Sequence, residues 1–165
     1  MPPRHAPGTP EEWLLRARSN LAVAKSPKPV DALWEEYCFQ AHQAIEKSLK
    51  AVYQKRGLLF EYVHDIEVLG AGLERAGVRV PPEVRMAIGL TRYAREMRYP
   101  ADHEWATRED HSKALAWAEA VVKWADKIVK TPDKPGGSLL KEAPGSYRAK
   151  KSRKSRVVKN SKRKT

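Results

Sequence analysis

In the stretch TRYAREMRYPADHEW, residues 91–105, Arg98 and His103 are separated by four residues, with Pro100 between them. An arginine fork can clamp a phosphate, and an imidazole that titrates near neutral pH can move a proton. Together they suit metal-independent cleavage of RNA, in which the 2′-OH is the attacking group. They equally suit holding a nucleotide's phosphates without breaking a bond. A third reading is structural: Arg92, Arg95 and Arg98 form a solvated face that pairs locally, as Arg92 with Glu96.

A second group of candidates lies upstream. His42 falls at the border of an apolar stripe, where it is a half-buried packing residue or lines a pocket. Gln43 and Lys47 share a neighbouring face at an interval of four. His64-Asp65 opens a short helix, and Asp65 suits the positive end of that helix. A metal site of His42, Glu46 and His64 is conceivable, but nothing in the spacing demands it, and neither metal nor cofactor is assigned. His5 and His111 read as surface or packing residues. The single cysteine, Cys38, sits on the apolar stripe as a small buried hydrophobe, with no partner for an internal disulfide. No Walker A, GxGxxG, HExxH or GxSxG pattern occurs.

Positioning these residues falls to helices. The longest spans Asp31 to Arg56, with Trp34, Cys38, Ala41, Ile45, Leu49 and Val52 in steps of three and four. Glu35, Glu36, Glu46, Lys47 and Lys50 lie mostly off that stripe. Asp31 reads as its N-cap and Gly57 as its C′ residue. An earlier helix opens at Thr9-Pro10-Glu11-Glu12, with Thr9 as N-cap and Glu12 closing a capping box, and the SPKPV segment at 26–30 stops it. GLLFEYV at 57–63 is a packed connection, because no second strand exists to pair with it.

Residues 64–77 form a short helix weakened by Gly70 and Gly72. A continuous helix runs from Pro82 or Glu83 to Arg98 or Tyr99, where Pro100 ends it. In the last helix Thr107 is the cap with Asp110 at N3, and Ala114, Leu115, Ala118, Val121, Val122 and Ile128 form the stripe. The expected fold is all-α: an antiparallel up-and-down bundle of four main helices plus one short one. A partly bare face on so small a bundle favours a homodimer.

Composition sets the outer bounds. The 165 residues are 41% hydrophobic, with a mean hydropathy of -0.66. No run of 18 apolar residues exists to span a membrane. The opening MPPRHAPGTPEEW has no apolar signal region, so the cytoplasm is the default address. The formal charge of +12 is unevenly spread. Residues 131–165 carry twelve Lys or Arg against Asp133 and Glu142, a charge of +10, which leaves +2 on residues 1–130. The chain divides into a flexible leader at 1–8, a bundle at 9–130 and a basic, disordered tail at 131–165. That tail gives salt-sensitive contact with RNA or DNA phosphates, or simply solubilises the protein.

The pieces CFQAHQAIEKSLKAVYQKRG at 38–57, HDIEVL at 64–69, RYAREMRYP at 92–100 and KALAWAEAVVKWADKIV at 113–129 together resemble the HEPN domain family. The resemblance covers roughly residues 10–130 and implies an all-helical bundle that commonly dimerises. It also implies a nucleotidyltransferase-type protein partner in a toxin–antitoxin-like pair, with a nucleotide or RNA phosphate as ligand. The family's nucleotide-binding description points to His42, Lys47, Arg98 and Tyr99. Its RNase members carry an Arg, four to six residues, then His at a dimer cleft, and Arg98 and His103 fit that pattern. Here Pro100 interrupts it, and Tyr99 stands where the usual polar residue follows the arginine. A dimeric scaffold tethered to RNA by its tail is the non-catalytic alternative.

Overall fold

The long helix is the hub of the molecule. The computed structural model describes residues 8–96 and 104–132. In chain order these form α1 (Pro10–Lys25), α2 (Trp34–Lys55), α3 (Ile66–Arg75), α4 (Pro82–Met86), a 3-10 turn (Ala87–Leu90), α5 (Thr91–Glu96) and α6 (Arg108–Lys130). The fold is an all-α helical bundle, and the described residues contain no strand. GLLFEYV is a connection, as its isolation implies. α2 packs against α1, α6, α3 and α5 at once.

That wrapping changes which residues of α2 are inside. Cys38, Ala41, Ile45, Leu49 and Val52 are fully buried as their periodicity predicts, whereas Trp34 is only partly so. Glu35, Glu46 and Lys50, expected off the stripe, are buried as well. A helix covered on several sides has no broad solvated face, so polar residues enter the interior and need partners there.

Helix ends follow local chemistry, with one exception. Thr9 caps α1 by accepting from the Glu12 amide. Thr107 and Asp110 form a reciprocal capping box at α6. α2 does not begin at Asp31: it starts at Trp34 behind Leu33, which offers no side-chain cap. A turn from Pro29 to Ala32, its carbonyls gathered by Lys28 Nζ, occupies the residues upstream. α2 ends in a Schellman motif, with Gly57 at φ 62°, Leu58 N–H donating to Tyr53 and Gly57 N–H to Gln54.

The helix expected to run unbroken from Pro82 is instead α4, a 3-10 turn and α5. Its buried positions Val84, Ala87, Leu90 and Tyr93 recur every three residues, a period that suits 3.0 residues per turn better than 3.6. Gly89 adds little helix propensity to hold the α form. In α6, Ala114, Ala118, Val121 and Val122 are buried as expected, joined by Ala125 and Val129. His111 serves packing: its ring stacks on Trp34 at 5.0 Å and its Nε2 lies 2.9 Å from the Ala24 carbonyl, linking α6 to α2 and α1.

Candidate functional site

Arg98, Tyr99 and His103 lie outside the described residues, as do residues 1–7 of the leader, residues 133–165 of the basic tail and the Glu96 side chain of the Arg92–Glu96 pairing. The flanks of the Arg98–His103 stretch are described. On one side, α5 is pinned by Thr91, whose hydroxyl accepts from the Ile66 amide at 3.4 Å, and by the buried Tyr93. Arg92 is exposed, lies over the Tyr93 ring at 4.7 Å and donates to its hydroxyl at 2.8 Å. Tyr93 also meets Cys38. Burial pushes the Cys38 thiol up to about 11, a hydrogen bond with Tyr93 drawing it back in part, so the cysteine is an inert packing group.

On the other side, the Ala106 amide donates to Glu35 Oε1 at 2.5 Å inside the protein. A buried carboxylate of α2 thereby fixes the chain just after His103, immediately before Thr107 caps α6. Arg92, Asp110 and Lys113 line an open groove of about 240 Å³ between α5 and α6, together with Leu90 and Trp117.

His42 and Lys47 have different surroundings. Lys47 is half-buried and turns toward α1, where its Nζ donates to Asn20 Oδ1 at 2.6 Å, and Asn20 in turn donates to Gln40. Desolvation lowers the Lys47 ammonium's pKa, the neighbouring Glu46 opposing that shift. His42 has no exposed surface and turns toward the 57–65 connection, its Nε2 3.1 Å from the His64 carbonyl. Burial lowers its pKa, which keeps it a neutral imidazole donating from Nε2. Phe39 stacks on the ring at 6.4 Å.

Between these two residues lies a polar cluster. Glu46 accepts from Lys50 Nζ at 2.6 Å and from Gln43 Nε2 at 3.1 Å, and both its oxygens lie 3.2 Å from His64 Nδ1. Glu46 and Lys50 are almost wholly buried, and the Lys50 ammonium also lies 5.5 Å from the ring centroids of both Trp13 and Phe60. An ion pair removed from water persists only when every charge is satisfied, and this one is, by hydrogen bonds and aromatic faces. His42, Glu46 and His64 do come together, but Lys50 supplies the positive charge against the carboxylate, and His42 Nε2 is committed to a carbonyl. Among the described residues no group of three His, Cys, Asp or Glu is arranged to hold a metal ion.

Glu35 and Lys50 were missed as site-shaping features by periodicity, whereas Glu46 and His64, grouped from sequence as conceivable metal ligands, meet as a hydrogen-bonded pair. A Glu–Lys pair at i, i+4 reads from sequence as surface decoration, and only its burial distinguishes it. No helix among the described residues is long and apolar enough to cross a membrane.

The model of the HEPN domain matches residues 10–128. The archaeal HEPN homologue ST0689 is similar in structure, with a TM-score of 0.58 and 23% identity over 74% of this chain and 98% of its own. TT1696 from Thermus thermophilus is similar with a TM-score of 0.60 and 26% identity over 73% of this chain and 98% of its own. No curated protein matches the sequence. The family match spans most of the chain, from the first helix to the end of the last, and the chain belongs to the HEPN domain family.

Proposed function

We propose that this protein is a cytoplasmic HEPN component that binds the phosphate of a nucleotide or RNA through Arg98. Its partner is a nucleotidyltransferase-type protein in a toxin–antitoxin-like pair, and it acts as a homodimer. The observation that carries this reading is that the family match, residues 10–128, includes Arg98 and His103 within its bounds. The anchoring of both flanks to α2 supports it: Tyr93 on one side and Glu35 with Ala106 on the other would hold the intervening stretch to a rigid base. Arg92 and Lys113 line one groove with the single carboxylate of Asp110, which leaves that groove an excess of positive charge for a phosphate.

The test is binding of AMP and of a short single-stranded RNA. Arg98→Ala is expected to weaken both by about tenfold or more, the scale of a lost charge-assisted hydrogen bond. Deletion of 133–165 is expected to leave AMP binding in place and to reduce only the salt-sensitive part of RNA binding. Unchanged affinity in Arg98→Ala, or AMP binding that disappears with the tail alone, would sink the reading.

The spacing of Arg98 and His103 favours a second reading, metal-independent RNA cleavage, with His103 moving the proton and Arg98 stabilising developing charge on phosphate. It requires cleavage in EDTA that both Arg98→Ala and His103→Ala abolish. Cleavage surviving in either variant removes that assignment.

A further inference from the structure

His64 is an exposed histidine held in an unusually constrained way. Its carbonyl accepts from buried His42, and the next residue, Asp65, caps α3 by accepting from the amides of Glu67 and Val68. The following amide, of Ile66, donates to Thr91 of α5. The ring itself is fixed at Nδ1 by the buried Glu46 carboxylate, yet the side chain is 62% exposed. With Nδ1–H given to the carboxylate, Nε2 is the free nitrogen, and it has no partner among the described residues. A backbone pinned at three successive residues and a ring pinned at one nitrogen present the other nitrogen outward in one orientation.

The charge around this ring is also particular. From α2 it faces Glu46, whose charge is already balanced by Lys50, with neutral His42 behind. Its own neighbour Asp65 brings a second carboxylate, which caps α3, and α5 contributes the Thr91 hydroxyl. Protonating His64 adds a unit positive charge beside a Glu46–Lys50 pair whose charges offset, and it turns Nε2 from an acceptor into a donor.

We propose that His64 Nε2 is a phosphate contact, binding a phosphate oxygen of a nucleotide or RNA in the protonated form, with Glu46 as its positioning residue. The ligand class rests on the function proposed above; the geometry of the contact does not. A phosphate oxygen accepts the charge-assisted hydrogen bond from Nε2. Glu46 keeps the ring from turning and holds the second proton at Nδ1, as buried carboxylates do for functional histidines elsewhere.

The experiment uses the full chain and an oligouridylate without a terminal phosphate. Neither the probe's phosphodiesters nor its bases change charge between pH 5.5 and 8.0, so any pH dependence belongs to the protein. AMP is a second arm that separates a nucleotide from an RNA source. Wild-type binding is expected to weaken about fivefold or more from pH 5.5 to 8.0. His64→Gln, which can still donate to Glu46 and leaves the Glu46–Lys50 pair intact, is expected to show a flat profile at the weaker affinity. The His64 ring resonances of the wild type should shift as the probe is added at pH 5.5.

Arg98→Ala distinguishes the two proposals. If it weakens binding at both pH values while the pH ratio persists, both stand. If it has no effect while His64→Gln still flattens the profile, the Arg98 reading fails and the His64 contact stands. A His64→Gln profile as steep as wild type, a flat wild-type profile, or absence of binding to both probes overturns the His64 contact.

Discussion

At the scale of single residues, Glu46 and Lys50 show how much an ordinary-looking pair changes when it leaves water. Exposed Glu–Lys pairs one helical turn apart stabilise by a few tenths of a kcal/mol. Here the side chains are 3% and 6% exposed, so removing one charge strands the other. Glu46→Gln is expected to destabilise the protein by about 3 kcal/mol in urea unfolding. The double variant Glu46→Gln/Lys50→Met should lose clearly less than the sum of the single losses, because neither charge is then left alone. Strict additivity in that cycle would show that the two side chains are not energetically coupled. The same reasoning explains Glu35: a buried carboxylate on α2 is tolerated because it takes the Ala106 amide.

At the scale of elements, α3 contains two glycines that helix propensity alone would disfavour. Packing accounts for both. A Cβ on Gly72 would stand 2.0 Å from the Tyr53 hydroxyl oxygen, and one on Gly70 would meet Val84 at 2.9 Å. Tyr53 uses the space over Gly72 to donate to the Leu69 carbonyl at 2.8 Å, tying α2 to α3. Alanine at 72 gains about 1 kcal/mol of helix propensity but faces an overpacking cost of about 1–3 kcal/mol. Gly72→Ala is therefore expected to destabilise by about 1 kcal/mol. In a Tyr53→Phe background, where the offending oxygen is gone, the same change should be neutral or stabilising. If the cost of Gly72→Ala is the same in both backgrounds, the Tyr53 contact is not what selects glycine.

At the scale of the whole molecule, the buried neutral His42 couples stability to pH. Burial sets its folded pKa below the ordinary imidazole value of 6.5, so on acidification the unfolded chain takes up a proton that the folded chain refuses. The stabilisation is complete above about pH 7 and is lost as pH falls from there toward the lower folded value, by at most about 1.4 kcal/mol per pH unit. Urea midpoints of the wild type are expected to fall between pH 7.5 and 5.5, and His42→Gln should have a shallower slope whatever its absolute stability. Equal slopes would place the pH dependence on other groups. Residues 131–165, with a charge of +10, follow these helices in the sequence.

Much of the architecture was written locally. Thr9 and Thr107 with Asp110, the glycine after α2, and the apolar periods of α1, α2 and α6 depend on interactions within a few residues, so the order of residues was enough to find them. The family resemblance was legible for the same reason, carried by motifs in a fixed order. Three features were decided only by tertiary structure: the burial of Glu35, Glu46 and Lys50, the 3-10 break before α5, and the hydrogen-bonded form, with Lys50 as the cation, in which Glu46 and His64 meet. Each depends on what packs around α2 from distant parts of the chain. A charged residue's position on a helix says which way it points, but only the neighbouring helices decide whether water or protein meets it there.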